Sequence, residues 1–158
     1  MQEIHVAESE GRESTALKNL SNSEPFARLL GIRCLKVDPG YALCEMEVSG
    51  SMTNLFGTAH GGAIFGLMDE AFQLACNSRG CAAYALNISV TYVTASRPGD
   101  VLAAEAVEVA TTARTGVYDL KVTLRNGTLI ASAQAIAYRK KEPAPFLAVD
   151  ADSTGQSA

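Results

Sequence analysis

The stretch Asn54–Cys76 constrains this chain more than any other. A polar, glycine-containing loop ends at His60, and the run Gly61–Cys76 that follows is apolar almost all the way round. A helix apolar on every side must be buried in protein. Asp69, Glu70 and Gln73 interrupt the run, and a carboxylate inside such a helix is costly to desolvate unless something needs it. The pattern predicts a helix from His60 to Arg79, about 30 Å long at 1.5 Å per residue. Arg79 is placed in the last turn, where a cation is favoured, and Gly80 is the stop. No other segment has a strong helical pattern of this length.

The flanks read as strands. Ile32–Val37 and Tyr41–Val48 precede the helix, joined by the turn Asp38-Pro39-Gly40. Four more follow it, at Ala83–Thr94, Val101–Thr111, Val117–Arg125 and Thr128–Tyr138. In the first of these, Leu86, Ile88, Val90 and Tyr92 oppose Asn87, Ser89 and Thr91, the period-2 signature of a half-buried strand. Asn126-Gly127 marks a tight hairpin. Ser23-Glu24-Pro25 reads as a short helix start capped by the serine, ended by Gly31. The economical architecture is α+β, a curved antiparallel sheet wrapped around the long helix. Val93, Val101, Val107 and Val109 on the other face also need cover, and a second copy of the chain supplies it. One domain is expected over residues 23–142, between a flexible segment at 1–22, with a short helix possible at Ser14–Leu20, and a flexible tail at 143–158.

Composition narrows the function classes. A net charge of −4 over 158 residues argues against a nucleic-acid partner, which calls for a basic stripe. Cys34, Cys44, Cys76 and Cys81 form no CxxC pair and read as reduced thiols. No apolar run reaches membrane-spanning length, and Met1–Glu13 lacks a signal-peptide core, so the expected location is the cytoplasm. His5 and His60, the only histidines, form no metal motif. There is no HExxH, nucleophile elbow or phosphate loop.

Three features carry chemistry. Asp69, in a poorly solvated setting, is a candidate base or nucleophile; the plainer role is a bond to neighbouring backbone or a salt bridge. His60-Gly61-Gly62 puts backbone N–H groups at a helix start, suited to an oxyanion; the plainer role is a tight turn capped by His60. Asn54 brings an amide able to hold a water or a carbonyl, or to close an ordinary Asx-turn. Gly61 and Asp69 are eight residues apart, about 12 Å along one helix, whereas groups acting on one carbon must lie within roughly 3–3.5 Å of it. Two antiparallel helices across a two-fold axis resolve the mismatch, which predicts an active site shared at a dimer interface.

Over residues 25–141 the sequence resembles the hotdog-fold acyl-CoA thioesterases of the phenylacetic-acid-degradation (PaaI-like) group. The resemblance rests on Asn54, on His60-Gly61-Gly62-Ala63-Ile64-Phe65, on Leu67-Met68-Asp69-Glu70-Ala71-Phe72, on Arg97-Pro98-Gly99-Asp100 and on Arg114-Thr115-Gly116-Val117-Tyr118-Asp119. It implies that Asp69 is the catalytic base or nucleophile and that Asn54 orients water or the substrate carbonyl. It further implies that the Gly61 N–H, supported by His60, is the oxyanion donor, with Gly62 beside it. Phe56, Phe65, Met68 and Phe72 are candidates for an acyl pocket suited to a phenylacetyl-like or medium-chain group, or for core packing. Arg97 and Arg114 are candidates for the coenzyme A phosphates. No cofactor is implied beyond coenzyme A as part of the substrate, and the assembly implied is a dimer of dimers. The chain departs from the group at Tyr92-Val93-Thr94-Ala95, where an aromatic-x-Arg-Pro pattern is frequent, and at Ala110–Ala113, which lacks a frequent glycine-arginine pair. A non-catalytic acyl-CoA or small-ligand binder of the same fold is the alternative. A hydroxyacyl-thioester dehydratase fits less well, since two glycines rather than a proline-bearing loop follow His60.

Overall fold

The structure, a computed structural model, describes residues 14–147. Helix α1 (residues 14–23) leads directly into α2 (Pro25–Leu30). Strands β1 (Arg33–Asp38) and β2 (Tyr41–Glu47) precede the long helix α3 (Gly61–Asn77). Strands β3 (Cys81–Tyr92), β4 (Val101–Thr111), β5 (Thr115–Leu124) and β6 (Leu129–Pro143) follow it. The six strands make one antiparallel sheet in the order β1-β2-β4-β5-β6-β3, with α3 packed on it. This is the α+β hotdog arrangement, a long central helix inside a curved sheet.

The alternation read from sequence locates the core. Ala42, Cys44 and Met46 of β2, Leu102, Ala104 and Ala106 of β4, and Tyr118, Leu120 and Val122 of β5 point inward and are buried. They meet Leu67, Met68, Phe72 and Leu74 of α3, and Phe72 packs edge-on against Tyr118 with ring centroids 5.3 Å apart. Burying each such large side chain contributes about 1.5–3 kcal/mol. The alanine ladder Ala131, Ala133, Ala135 and Ala137 of β6 is buried as well. On the outer face Val93, Val107 and Val109 are exposed, whereas Val101 is half-buried.

The ends of elements differ from the sequence reading for local reasons. Helix α2 is capped at Glu24 without a side-chain bond, while the Ser23 hydroxyl donates to the Leu20 carbonyl. Helix α3 stops at Asn77, two residues early. There Asn77 exchanges hydrogen bonds with the Ala83 backbone, and Ser78 Oγ accepts from Gly40 N at 2.7 Å. Arg79 therefore lies outside the helix and pairs through two nitrogens with Glu108. At the β1–β2 turn Gly40 has φ +74°, and a Cβ there would stand 2.9 Å from Glu108 Cβ, so only glycine fits.

The packed unit is longer than 23–142. Leu17 and Ser21 of α1 are buried, β6 carries its charged end through to Pro143 opposite Cys81, and Ala144 is buried beyond it. Residues 1–13 and 148–158, the rest of the expected flexible ends, lie outside the described residues. Among the described residues, no helix is long and apolar enough to cross a membrane.

Candidate active site

From Gly62 to Asn77 every residue of α3 is buried except Gly62, Phe65, Asp69 and Gln73. Steps of three, four and four place these on one face of a helix. The helix is thus enclosed except for a single open stripe, and that stripe carries the carboxylate picked out from sequence.

Asp69 is half-buried and makes no hydrogen bond or ion pair with any described residue. Burial, with the like charge of Glu24 added, raises its pKa above the usual aspartate value. The more deeply buried carboxylate is its neighbour Glu70, only 4% exposed. Burial pushes Glu70 up to about 7; hydrogen bonds from Ser21 and Gln73 oppose this, and the charges of Glu24 and Asp69 add to it. Ser21 Oγ donates to Glu70 Oε1, and Gln73 Nε2 donates to both Glu70 Oε2 (3.1 Å) and Glu24 Oε2 (2.6 Å). This network has no local signal in the sequence, because its partners lie 49 residues apart.

The helix start resolves which N–H is available. His60 is the N-cap and its Nδ1 accepts from Gly62 N at 2.9 Å, so the Gly62 N–H is occupied. The Gly61 N–H opens the helix, with no residue of the preceding turn in position to accept from it. Tyr92, read from the sequence as a strand residue and as a departure from the family pattern but not as a site residue, donates its hydroxyl to the Gly61 carbonyl at 3.0 Å, and its ring would lie 3.1 Å from a Cβ at position 61. It fixes the first peptide of the helix from the neighbouring strand.

Asn54 closes its own loop. Its Oδ1 accepts from Phe56 N, Thr58 N and Thr58 Oγ1, and its Nδ2 donates to Thr58 Oγ1 at 2.9 Å. The loop is tied onward through Ala59 N to the Ser96 carbonyl and through His60 N to the Met52 carbonyl. Asn54 therefore sets where the helix begins.

The four apolar candidates do not share a surface. Met68 and Phe72 are fully buried in the core, Phe65 is on the open stripe, and Phe56 stands 88% exposed at the loop tip. The two arginines are also apart. Arg97 lies just before β4 and next to Ser96, which bonds the loop before α3; Arg114 lies just beyond its other end. Eleven residues of strand separate them, roughly 35 Å. One protomer therefore does not bring both to one ligand.

Within one chain Asp69 and the Gly61 N–H stand about 12 Å apart along the helix. The stripe that joins them is open, and the edge strand β3 beside it exposes Tyr84, Leu86 and Tyr92. A long apolar edge of this kind is a pairing surface.

Comparison with known proteins agrees with this architecture. The model of the "Thioesterase superfamily" matches residues 56–131. A protein of Archaeoglobus fulgidus is 42% identical over 123 residues, covering 78% of this chain and 80% of its own. The acyl-coenzyme A thioesterase PaaI of Escherichia coli is 34% identical over 117 residues, covering 74% and 84%. The solved structure of that protein superposes with a TM-score of 0.76, covering 79% of this chain and 91% of its own at 31% identity. A Streptococcus mutans protein solved bound to acetyl CoA superposes with a TM-score of 0.68 at 27% identity, covering 72% and 91%. The helix start and the carboxylate on its open stripe lie inside residues 56–131, and the chain belongs to the hotdog-fold thioesterase superfamily, in its PaaI-like group.

Proposed function

We propose that this protein hydrolyses an acyl-coenzyme A to the free acid and coenzyme A, at a site built from two protomers. The observation that carries the reading is the open stripe of α3, whose only carboxylate is Asp69, unpaired among the described residues and with a raised pKa. The thioester lies between Asp69 of one protomer and the Gly61 N–H of the other. Ionised Asp69 takes a proton from water as its oxygen adds to the carbonyl carbon. The carbonyl becomes an oxyanion that accepts from Gly61 N–H, aided by the positive end of the helix dipole. When the C–S bond breaks, the coenzyme A thiolate leaves and takes the proton from Asp69. Direct attack by Asp69, giving an anhydride that water then opens, needs the same ionised carboxylate; single turnover in ¹⁸O-water separates the two routes by label in Asp69.

His60 and Asn54 act as positioning residues for the Gly61 N–H, through the cap and the loop described above. Arg97, near the helix start, is the candidate for the coenzyme A phosphates, and Arg114 reaches a different site. An uncharged acyl group, phenylacetyl-like or medium-chain, suits apolar walls beside the stripe. The oligomer is a dimer through the β3 edge and stripe, paired again into a tetramer through the remaining exposed valines. Four free cysteines suit a reducing cytoplasm. A thiol-release panel over aromatic, short, medium and long acyl-CoAs tests the reading. Turnover by the wild type that survives unchanged in Asp69→Ala would refute the assigned role.

A further inference from the structure

One helical turn beyond Asp69, a cavity of ≈ 510 Å³ opens between α1, the second half of α3, the start of β3 and the short turn Pro145–Leu147. This volume lies within the range of small-molecule sites, roughly 300–1,000 Å³. Its walls are largely apolar, with Leu17, Leu20, Leu74 and Phe146 among them. Two polar side chains on its wall, Glu24 and Gln73, are bonded to each other at 2.6 Å. Gln73 follows Asp69 by four residues on the same open stripe, about 6 Å along the axis. The cavity therefore begins one turn from Asp69, at Gln73, and leads away from it along α3.

Its charge is one-sided. Glu24 lies on the wall, Glu70 shares the Gln73 amide with it, and Asp69 stands one turn away. None of the three is in a salt bridge among the described residues. The cations next to wall residues are engaged elsewhere: Lys18 Nζ donates to the Leu35 carbonyl, Arg139, opposite Ala83, donates to the Thr112 carbonyl and Cys81 Sγ, and Lys140 Nζ lies 5.1 Å from the centroid of the Tyr84 ring. A carboxylate entering this space would lose water and meet like charge with no donor freed to receive it.

We propose that this cavity holds the far end of the acyl chain, and that Glu24 is a specificity-determining residue that excludes acyl groups ending in a carboxylate. The inference rests on the thioesterase reading. The enzyme's substrates are then uncharged acyl thioesters, and monothioesters of dicarboxylic acids are rejected by repulsion rather than by size.

Heptanoyl-CoA and hexanedioyl-CoA, closely matched in chain length, isolate the charge. The ratio of their kcat/KM values is measured for the wild type, Glu24→Gln, Glu24→Lys, Gln73→Glu and the outer-face control Asp119→Asn. Wild type should favour heptanoyl-CoA, less so at high salt. Glu24→Gln should cut that preference about tenfold and Glu24→Lys further, while Gln73→Glu should raise it. Thermal melting confirms that each variant is folded, and Gln73→Glu tests the same charge if Glu24→Lys is not. A ratio that stays constant across the series in an active enzyme, or moves as much in Asp119→Asn, overturns this inference alone. Failure of the wild type to turn over any acyl-CoA overturns the thioesterase reading and this inference with it.

Discussion

In the proposed reaction Asp69 takes the proton of the attacking water, and its burial beside Glu24 raises its pKa. Replacing it with Asn keeps the shape and removes the charge, so kcat should fall at least about 100-fold. The melting temperature should not drop, because the lost charge was poorly solvated and unpaired. The proposed mechanism needs the ionised form, so the acid limb of the pH–rate profile should lie above the ordinary aspartate range. Glu70 makes a separate prediction for stability. Its carboxyl rises from 4.5 to about 7 on folding, so the folded state binds that proton more tightly. The resulting stabilisation is complete below pH 4.5 and is lost as pH rises through 7, a swing of roughly 3 kcal/mol. Urea unfolding across pH 4.5–8 should show that decline in the wild type and a flatter profile in Glu70→Gln. At this scale the sequence is partly legible. Asp69 stands out because a carboxylate in an apolar helix is anomalous whatever the fold. Glu24, Ser21 and Tyr92 do not, because each acquires its role from a contact more than 30 residues away.

At the scale of elements, the start of α3 offers the cleanest variant. Pro is tolerated at the first position of a helix, and the extended backbone of His60 suits a following proline. Gly61→Pro therefore removes one N–H and little else, with a few tenths of an ångström of adjustment against the Tyr92 ring. It should cost about 100-fold in kcat while leaving the far-UV spectrum unchanged. The edge strand makes the second prediction here. Leu86 is 61% exposed on β3, so Leu86→Lys should leave the protomer folded but dissociate the oligomer by light scattering, with loss of turnover. Existence and order of the elements are readable because period-2 alternation and the Asn126-Gly127 turn are local signals. Gly127 does adopt φ +86° there. The ends are not readable, because Asn77 and Ser78 end α3 by bonding to Ala83 and Gly40, outside the helix pattern itself. The charged end of β6 likewise becomes strand because β3 lies beside it.

For the whole molecule, the proposed two-protomer site means that neither copy of the chain is complete by itself. The spacing of Gly61 and Asp69 along the sequence implies it, since helix rise is fixed by backbone geometry. The fold adds the open stripe and the exposed β3 edge, the surfaces through which the proposed dimer would form. The proposed acyl cavity is not legible in the sequence, since Phe56, Phe65, Met68 and Phe72 scatter between core and surface, whereas α1 and the Pro145 turn wall the cavity beyond Asp69. Mixing the two catalytic lesions tests the claim most directly. Asp69→Asn and Gly61→Pro chains, each expected to retain about 1% of activity alone, are unfolded together in equal amounts, refolded, and assayed for thiol release. In a two-fold dimer each mixed pair has one site with both lesions and one with none. Random pairing should therefore restore about a quarter of wild-type activity. Activity no higher than that of the parents, with mixed dimers verified by native mass spectrometry, would mean that each chain acts with its own Asp69 and Gly61, and would contradict the shared site.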